Sequence, residues 1–184
     1  MKRAIPIVAI IDDDRFALRY YVSAVEQNTG AVVRHYTSAL DFVRAVNEGA
    51  TFDLIVTDVM MSPAGTFTDE ETNNGLLTGI KLVEALREAC IPCPVIVFTN
   101  ISTPALIDNI QESFSDDEMI LVIRKIDADP FQLAEVIKRQ LDKIKGRRPS
   151  STAWSRLLES LQLRPNFMGL GIDLKQLMQP KKGE

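Results

Sequence analysis

Five side chains in this sequence are of types that, brought together, can move a phosphoryl group. They are the carboxylates of Asp12, Asp13 and Asp58, the hydroxyl of Thr99 and the ammonium of Lys125. Each sits at the end of a short apolar run. Asp12-Asp13 follows Ile7-Val8-Ala9-Ile10-Ile11, and Asp58 ends Asp53-Leu54-Ile55-Val56-Thr57-Asp58. Thr99 follows Pro94-Val95-Ile96-Val97-Phe98, and Arg124-Lys125 follows Met119 to Ile123. Three carboxylates packed together repel one another, which raises the pKa of at least one. A hard divalent cation resolves the conflict, and Mg²⁺ suits a few carboxylate oxygens, retained waters and a phosphate oxygen. Asp58 then stays ionised and can attack phosphorus to give an aspartyl phosphate. The lysine neutralises charge on the transferring oxygens, and Thr99 can donate a hydrogen bond to the new group.

The elements around these residues explain how they meet. Val- and Ile-rich runs of strand length alternate with helical patterns. Val32-Val33-Arg34-His35-Tyr36 reads as a second strand, between the run at Ile7–Ile11 and the one ending in Asp58. Helices are predicted over Asp14–Gln27, from Thr37 or Ser38 to Asn47, over Gly79–Ala89, Pro104–Phe114 and Pro130–Ile144. Nearly continuous apolar strands are characteristic of a parallel sheet covered on both faces. Five βα units predict an α/β doubly wound, flavodoxin-like parallel sheet of order 2-1-3-4-5. In that order the chain reverses between strands 1 and 3, and ligands bind beyond the carboxyl ends of strands at such a point. The five residues therefore converge on one rim.

These motifs, in this order, resemble the receiver domain of bacterial two-component systems: Ile10-Ile11-Asp12-Asp13-Asp14, then Asp53 to Met61, then Val95 to Thr99, then Lys125. The resemblance covers about residues 4 to 145. It implies that Asp58 is the phosphoacceptor, that Asp13 binds Mg²⁺ directly and Asp12 mainly through water, and that the Met60 carbonyl completes the protein's share of the metal shell. Thr99 and Lys125 would hold the phosphoryl group. The implied donor is a sensor histidine kinase or phosphotransfer protein, and the domain would turn over no external substrate as an enzyme does.

The sequence departs from that pattern at several points. Ser62 to Thr78, including Asp69, Glu70 and Glu71, is an extra polar loop before Gly79. Such a loop shields the site, presents a partner surface, or is a tolerated insertion, since loop length costs little. Lys125 precedes Ile126 where receivers usually carry a Pro with a cis bond. A cis bond here would cost roughly 3 kcal/mol, so a trans bond and a slightly displaced Lys125 are predicted. Val122 stands where many receivers have Tyr or Phe, and Asn100 where a small residue is common. These changes leave open a pseudo-receiver scaffold without regulated phosphorylation.

Other residues are read conservatively. Asp14 is predicted to cap the first helix instead of binding metal. Cys90 and Cys93 have C-x-x-C spacing but lie in a loop, with only His35 available as a histidine ligand, so neither a redox nor a zinc role is predicted. Gly146 to Ser150 breaks the pattern, dividing the chain into a domain over 1–145, a linker over 146–151 and a helical extension over 152–184. In that tail Trp154, Leu157, Leu158 and Leu161 recur at helical spacing, with a further apolar pattern at Ile172, Leu174, Leu177 and Met178. The stripe packs back on the domain or binds a partner. A downstream protein would dock through this extension or the outer sheet edge, or a second copy would form a dimer.

Composition sets the outer bounds. With 46% hydrophobic and 25% charged residues among 184, the chain has the balance of a globular protein. A net charge of −4 argues against nucleic acid as the main partner. A phosphatase of the haloacid-dehalogenase type would need an acid two residues after Asp58, where Met60 stands. The run Ala4 to Ile11 imitates a signal peptide but ends in Asp12-Asp13-Asp14 without a cleavage site, and no stretch is long enough to span a membrane. A cytoplasmic location is therefore expected.

Overall fold

The computed structural model describes residues 5–63, 65–144 and 151–162. Strands β1 (Ile7–Ile11), β2 (Val32–Tyr36), β3 (Leu54–Thr57), β4 (Val95–Thr99) and β5 (Ile120–Arg124) form one parallel sheet of order β2-β1-β3-β4-β5. The predicted order and fold class are those observed. Residues alternate between the two faces, as the pleat requires. Ala9, Ile11, Ile55, Val95 and Val97 point into one core, and Val8, Ile10, Leu54, Val56, Ile96 and Phe98 into the other.

Two helices cover the second face, α1 (Arg15–Thr29) and α6 (Pro130–Lys143). Each starts on a designed stop in the chain. Asp14 caps α1 by accepting from the amides of Phe16 and Ala17, and Gly30 ends it at φ +67°, where a glycine carries no Cβ penalty. Asp129 and Gln132 form a capping box at α6, followed by Pro130 in the first turn. The prediction that Asp14 caps a helix is met: its carboxylate is spent on backbone amides.

The first face carries α2 (Ala39–Asn47), α4 (Thr78–Glu88), α5 (Pro104–Ser113) and α7 (Ser151–Gln162). Ser38 caps α2 through the Asp41 amide. Helix α7 lies against α2 and α4, and Trp154, Leu157 and Leu161 join the main core. Of the two readings of the tail stripe, this is back-packing. Trp154 keeps only 2% of its surface, with its ring edge-on to Phe52 at 5.5 Å and to Phe42 at 6.4 Å. Ser151, expected to end the linker, already opens α7; residues 146–150 and the apolar pattern from Ile172 onward lie outside the described residues.

The segment Ser62 to Thr78 differs from the polar loop expected. It contains a one-turn helix, α3 (Asp69–Thr72), closed by a reciprocal cap. The Thr68 hydroxyl accepts from the Glu71 amide at 3.1 Å, and the Thr68 amide donates to Glu71 Oε2 at 2.8 Å. Thr66 and Phe67, and Thr72 within the helix, are buried. The two ends of the insertion are tied together: the Met61 amide donates to the Gly75 carbonyl, and the Thr78 hydroxyl donates to the Met61 carbonyl at 2.6 Å. The insertion is therefore a packed Ω-shaped excursion.

Candidate functional site

Sheet register places the acidic residues. Ile11 pairs with Thr57 across β1 and β3, so the next residues, Asp12 and Asp58, leave the sheet side by side. Their backbones are pinned there: the Asp58 amide donates to the Ile11 carbonyl at 2.9 Å, and the Asp12 amide to the Tyr36 carbonyl at 3.0 Å. Thr99 pairs with Arg124 at the ends of β4 and β5, which brings Lys125 to the same rim.

Three carboxylates and one ammonium meet there. One carboxylate oxygen each from Asp12, Asp13 and Asp58 lies within 4.8 Å of the others. Lys125 Nζ donates to Asp12 Oδ2 at 2.7 Å and to Asp58 Oδ2 at 2.9 Å. These three side chains keep 4–7% exposure, whereas Asp13 is exposed. The remaining oxygens have defined partners too. Asp12 Oδ1 accepts from the Asp14 amide at 2.9 Å, and Asp58 Oδ1 accepts from the Val59 amide at 2.7 Å. Thr99 is fully buried, and its hydroxyl oxygen accepts from the Ile101 amide at 3.3 Å.

The Lys125–Ile126 bond is trans, as predicted, since no cis peptide occurs among the described residues. Lys125 opens a short 3-10 turn (Lys125–Asp127), and from it the ammonium still bridges two carboxylates. Phe98 lies beneath, its ring centre 6.0 Å from Nζ.

The electrostatics follow from this crowding. Burial raises the Asp12 carboxyl above its ordinary range, more than its bond and attraction to Lys125 lower it. Burial, then repulsion from Asp58, raises Asp13. Burial by itself would lower Lys125, but the charges of Asp58 and Asp12 and the bonds to both hold its ammonium above the usual lysine value. Three carboxylates face one ammonium, so the cluster retains excess negative charge on hard oxygen donors. That donor set fits a magnesium-sized cation, which takes carboxylate oxygens and keeps part of its water shell. Asp13 is the open side of the cluster. Met60 follows Asp58 by two residues on the chain leaving β3, half-buried against the main core.

Two features of the site were missed in the sequence. The Val59 amide is a backbone donor to Asp58 and leaves no trace in side-chain types. Gly79 packs so closely that a Cβ there would stand 1.8 Å from the Asp58 carbonyl oxygen. Its amide donates to the Val59 carbonyl at 2.9 Å. The position of a glycine at the start of α4 was the available signal.

Cys93 is fully buried, and burial pushes its thiol up to about 12; Cys90 is exposed, and both are free. His35 lies exposed on β2, the edge strand.

No protein-family model and no curated protein matches this sequence. Solved structures do match. The receiver domain of the Francisella response regulator 1452 superposes with a TM-score of 0.58 at 23% identity, covering 76% of this chain and 99% of that one. The signal receiver domain of a Luxo repressor protein from Vibrio parahaemolyticus gives 0.57 at 15% identity, over 77% and 94%. A CheY-like receiver domain protein from Methanospirillum hungatei gives 0.54 at 18% identity, over 76% and 96%. The chain has the fold of response-regulator receiver domains. Among the described residues, no helix is long and apolar enough to cross a membrane.

Proposed function

We propose that this chain is a phosphorylation-dependent receiver of a two-component or phosphorelay system, with Asp58 as the phosphoacceptor. The observation that carries this reading is the bridged cluster of Asp12, Asp13, Asp58 and Lys125 at the point where strand order reverses. Asp12, Asp13, Asp58 and the Met60 carbonyl would hold Mg²⁺, which when bound neutralises charge on the transferring phosphoryl oxygens. A carboxylate oxygen of Asp58 attacks the phosphorus of a phosphohistidine on the donor protein, and the bond to the donor breaks. The Val59 amide and Lys125 hold Asp58 in place before the attack. Afterwards Lys125 and Thr99 bind the new phosphoryl oxygens, Thr99 turning its hydroxyl proton toward them. The change in charge then shifts the balance between two conformations and alters which surface a partner meets. The donor is a histidine kinase or phosphotransfer protein, and the setting is the cytoplasm.

The test is incubation of the full chain with acetyl phosphate and Mg²⁺, read by intact mass. The expected result is a gain of one phosphoryl group that needs Mg²⁺ and disappears in Asp58→Asn. Unmodified protein with acetyl phosphate and with phosphoramidate overturns the reading. The fold would then serve as a protein-interaction scaffold, the alternative that Val122 and Ile126 suggest.

A further inference from the structure

A second polar groove lies one strand away from the acidic rim, between α1 and the free edge of β2. Its volume is about 520 Å³, within the usual range for small-molecule sites. Arg15 and Arg19, one turn apart on α1, line it together with His35 of β2. Neither guanidinium has an ion-pair or hydrogen-bond partner among the described residues. In a chain of net charge −4, two unpaired guanidiniums on one wall are a local reversal of sign. The sheet adds a donor. The Val32 amide donates inward to the Pro6 carbonyl, so by strand alternation the His35 amide points outward on the free edge.

The groove changes character along its length. Leu18 and Val22 form an apolar wall in the middle. Ser23 and Glu26 stand at the far end. Glu26 uses Oε1 to accept from the Val33 amide at 3.4 Å, which leaves its other oxygen available. Arg19 and Glu26 are separated by two helical turns, about 10 Å along the axis. The sequence of features is thus a cationic end, an apolar wall and an acceptor end.

We infer that this groove binds a small phosphate monoester whose other end carries hydrogen-bond donors, a nucleoside or sugar phosphate. The paired guanidiniums suit a phosphate dianion, which arginine forks hold in bidentate fashion. The 10 Å span suits a nucleoside monophosphate better than a bare ion, and the acceptor end suits ring hydroxyls or an exocyclic amine. This site is separate from Asp58 and needs no divalent cation.

The probe is AMP, titrated into the isotopically labelled full chain with EDTA present, at an ionic strength of about 0.15 M. AMP is expected to move the amide resonances of Arg15 to Glu26 and His35 to Thr37. Arg15→Gln with Arg19→Gln should weaken binding roughly tenfold or more, and Asp58→Asn should leave it unchanged. Arg19→Lys keeps the charge but loses the fork, so a clear weakening in that milder variant also supports the site. Inorganic phosphate and adenosine should each bind more weakly than AMP. No movement of these amides at millimolar AMP overturns the inference. So does an equal response to AMP and inorganic phosphate, which marks an adventitious ion only.

Discussion

Lys125 is the residue on which the acidic cluster depends. Among the described residues it is the one cation bonded to Asp12 and Asp58, and all three side chains are almost wholly buried. Removing one partner of a buried charge set commonly costs about 3–5 kcal/mol, because the remaining charges are left uncompensated. Lys125→Met should therefore lower Tm at neutral pH, and added Mg²⁺ should restore more stability to the variant than to the parent. The pH sign follows from the shifts. Lys125 is raised above 10.5, so its contribution is complete below the ordinary lysine value and fades only as pH climbs through the higher folded value. Asp12 and Asp13 are raised above 3.8, so folding favours their protonated forms and their ionisation costs stability at neutral pH. Mg²⁺, held as proposed, would compete with those protons. Its stabilisation of the parent, followed by Tm, should weaken on acidification earlier than for an ordinary aspartate pair. Cys93 gives a separate check on burial. With its thiol pushed up to about 12 and its surface covered, native protein at pH 8 should take one iodoacetamide adduct, on Cys90, and a second only after unfolding.

The elements show where residue patterns were readable and where they were not. β1, β2 and α2 have the bounds their apolar runs and caps indicate, because a Val- and Ile-rich run between turn residues has few other solutions. Asp58 was read as the last residue of its strand; it lies just past β3, its amide still bonded to the Ile11 carbonyl. α3 escaped notice because four residues are too few to show a period. Its Thr68–Glu71 cap was the legible signal, and only an eye for capping would have found it. α7 was readable as an amphipathic stripe, but periodicity does not say what a stripe covers. The partner is the aromatic group of Tyr36, Phe42 and Phe52, far from Trp154 along the chain. Trp154→Ala should cost about 3–5 kcal/mol in urea unfolding. Trp154→Phe should cost much less, because it also removes an indole N–H that is buried without a partner among the described residues. Equal losses for the two variants would show that ring volume contributes little to the docking of α7.

At the scale of the molecule, the acidic site is a product of strand order. Asp12 and Asp58 are 46 positions apart in the chain and meet because β1 and β3 are neighbours in the sheet, an arrangement that alternating elements and right-handed crossovers make nearly obligatory. That is why the site could be read from strand ends, whereas the groove between α1 and β2 could not. The groove depends on which helix face is left uncovered, and an exposed arginine looks the same in sequence wherever it points. The same topology joins the acidic rim to α7. α4 begins with its backbone pressed on that of Asp58 and runs beneath α7.

Trp154 is the chain's single tryptophan, and it is buried on α7 at the end of that connection. Nature has thus placed an intrinsic optical probe on one helix alone. Emission excited at the indole band reports the docking of α7 without any label, and a red-shifted spectrum on treatment with beryllofluoride would trace a signal from the third strand's tip to the last described helix.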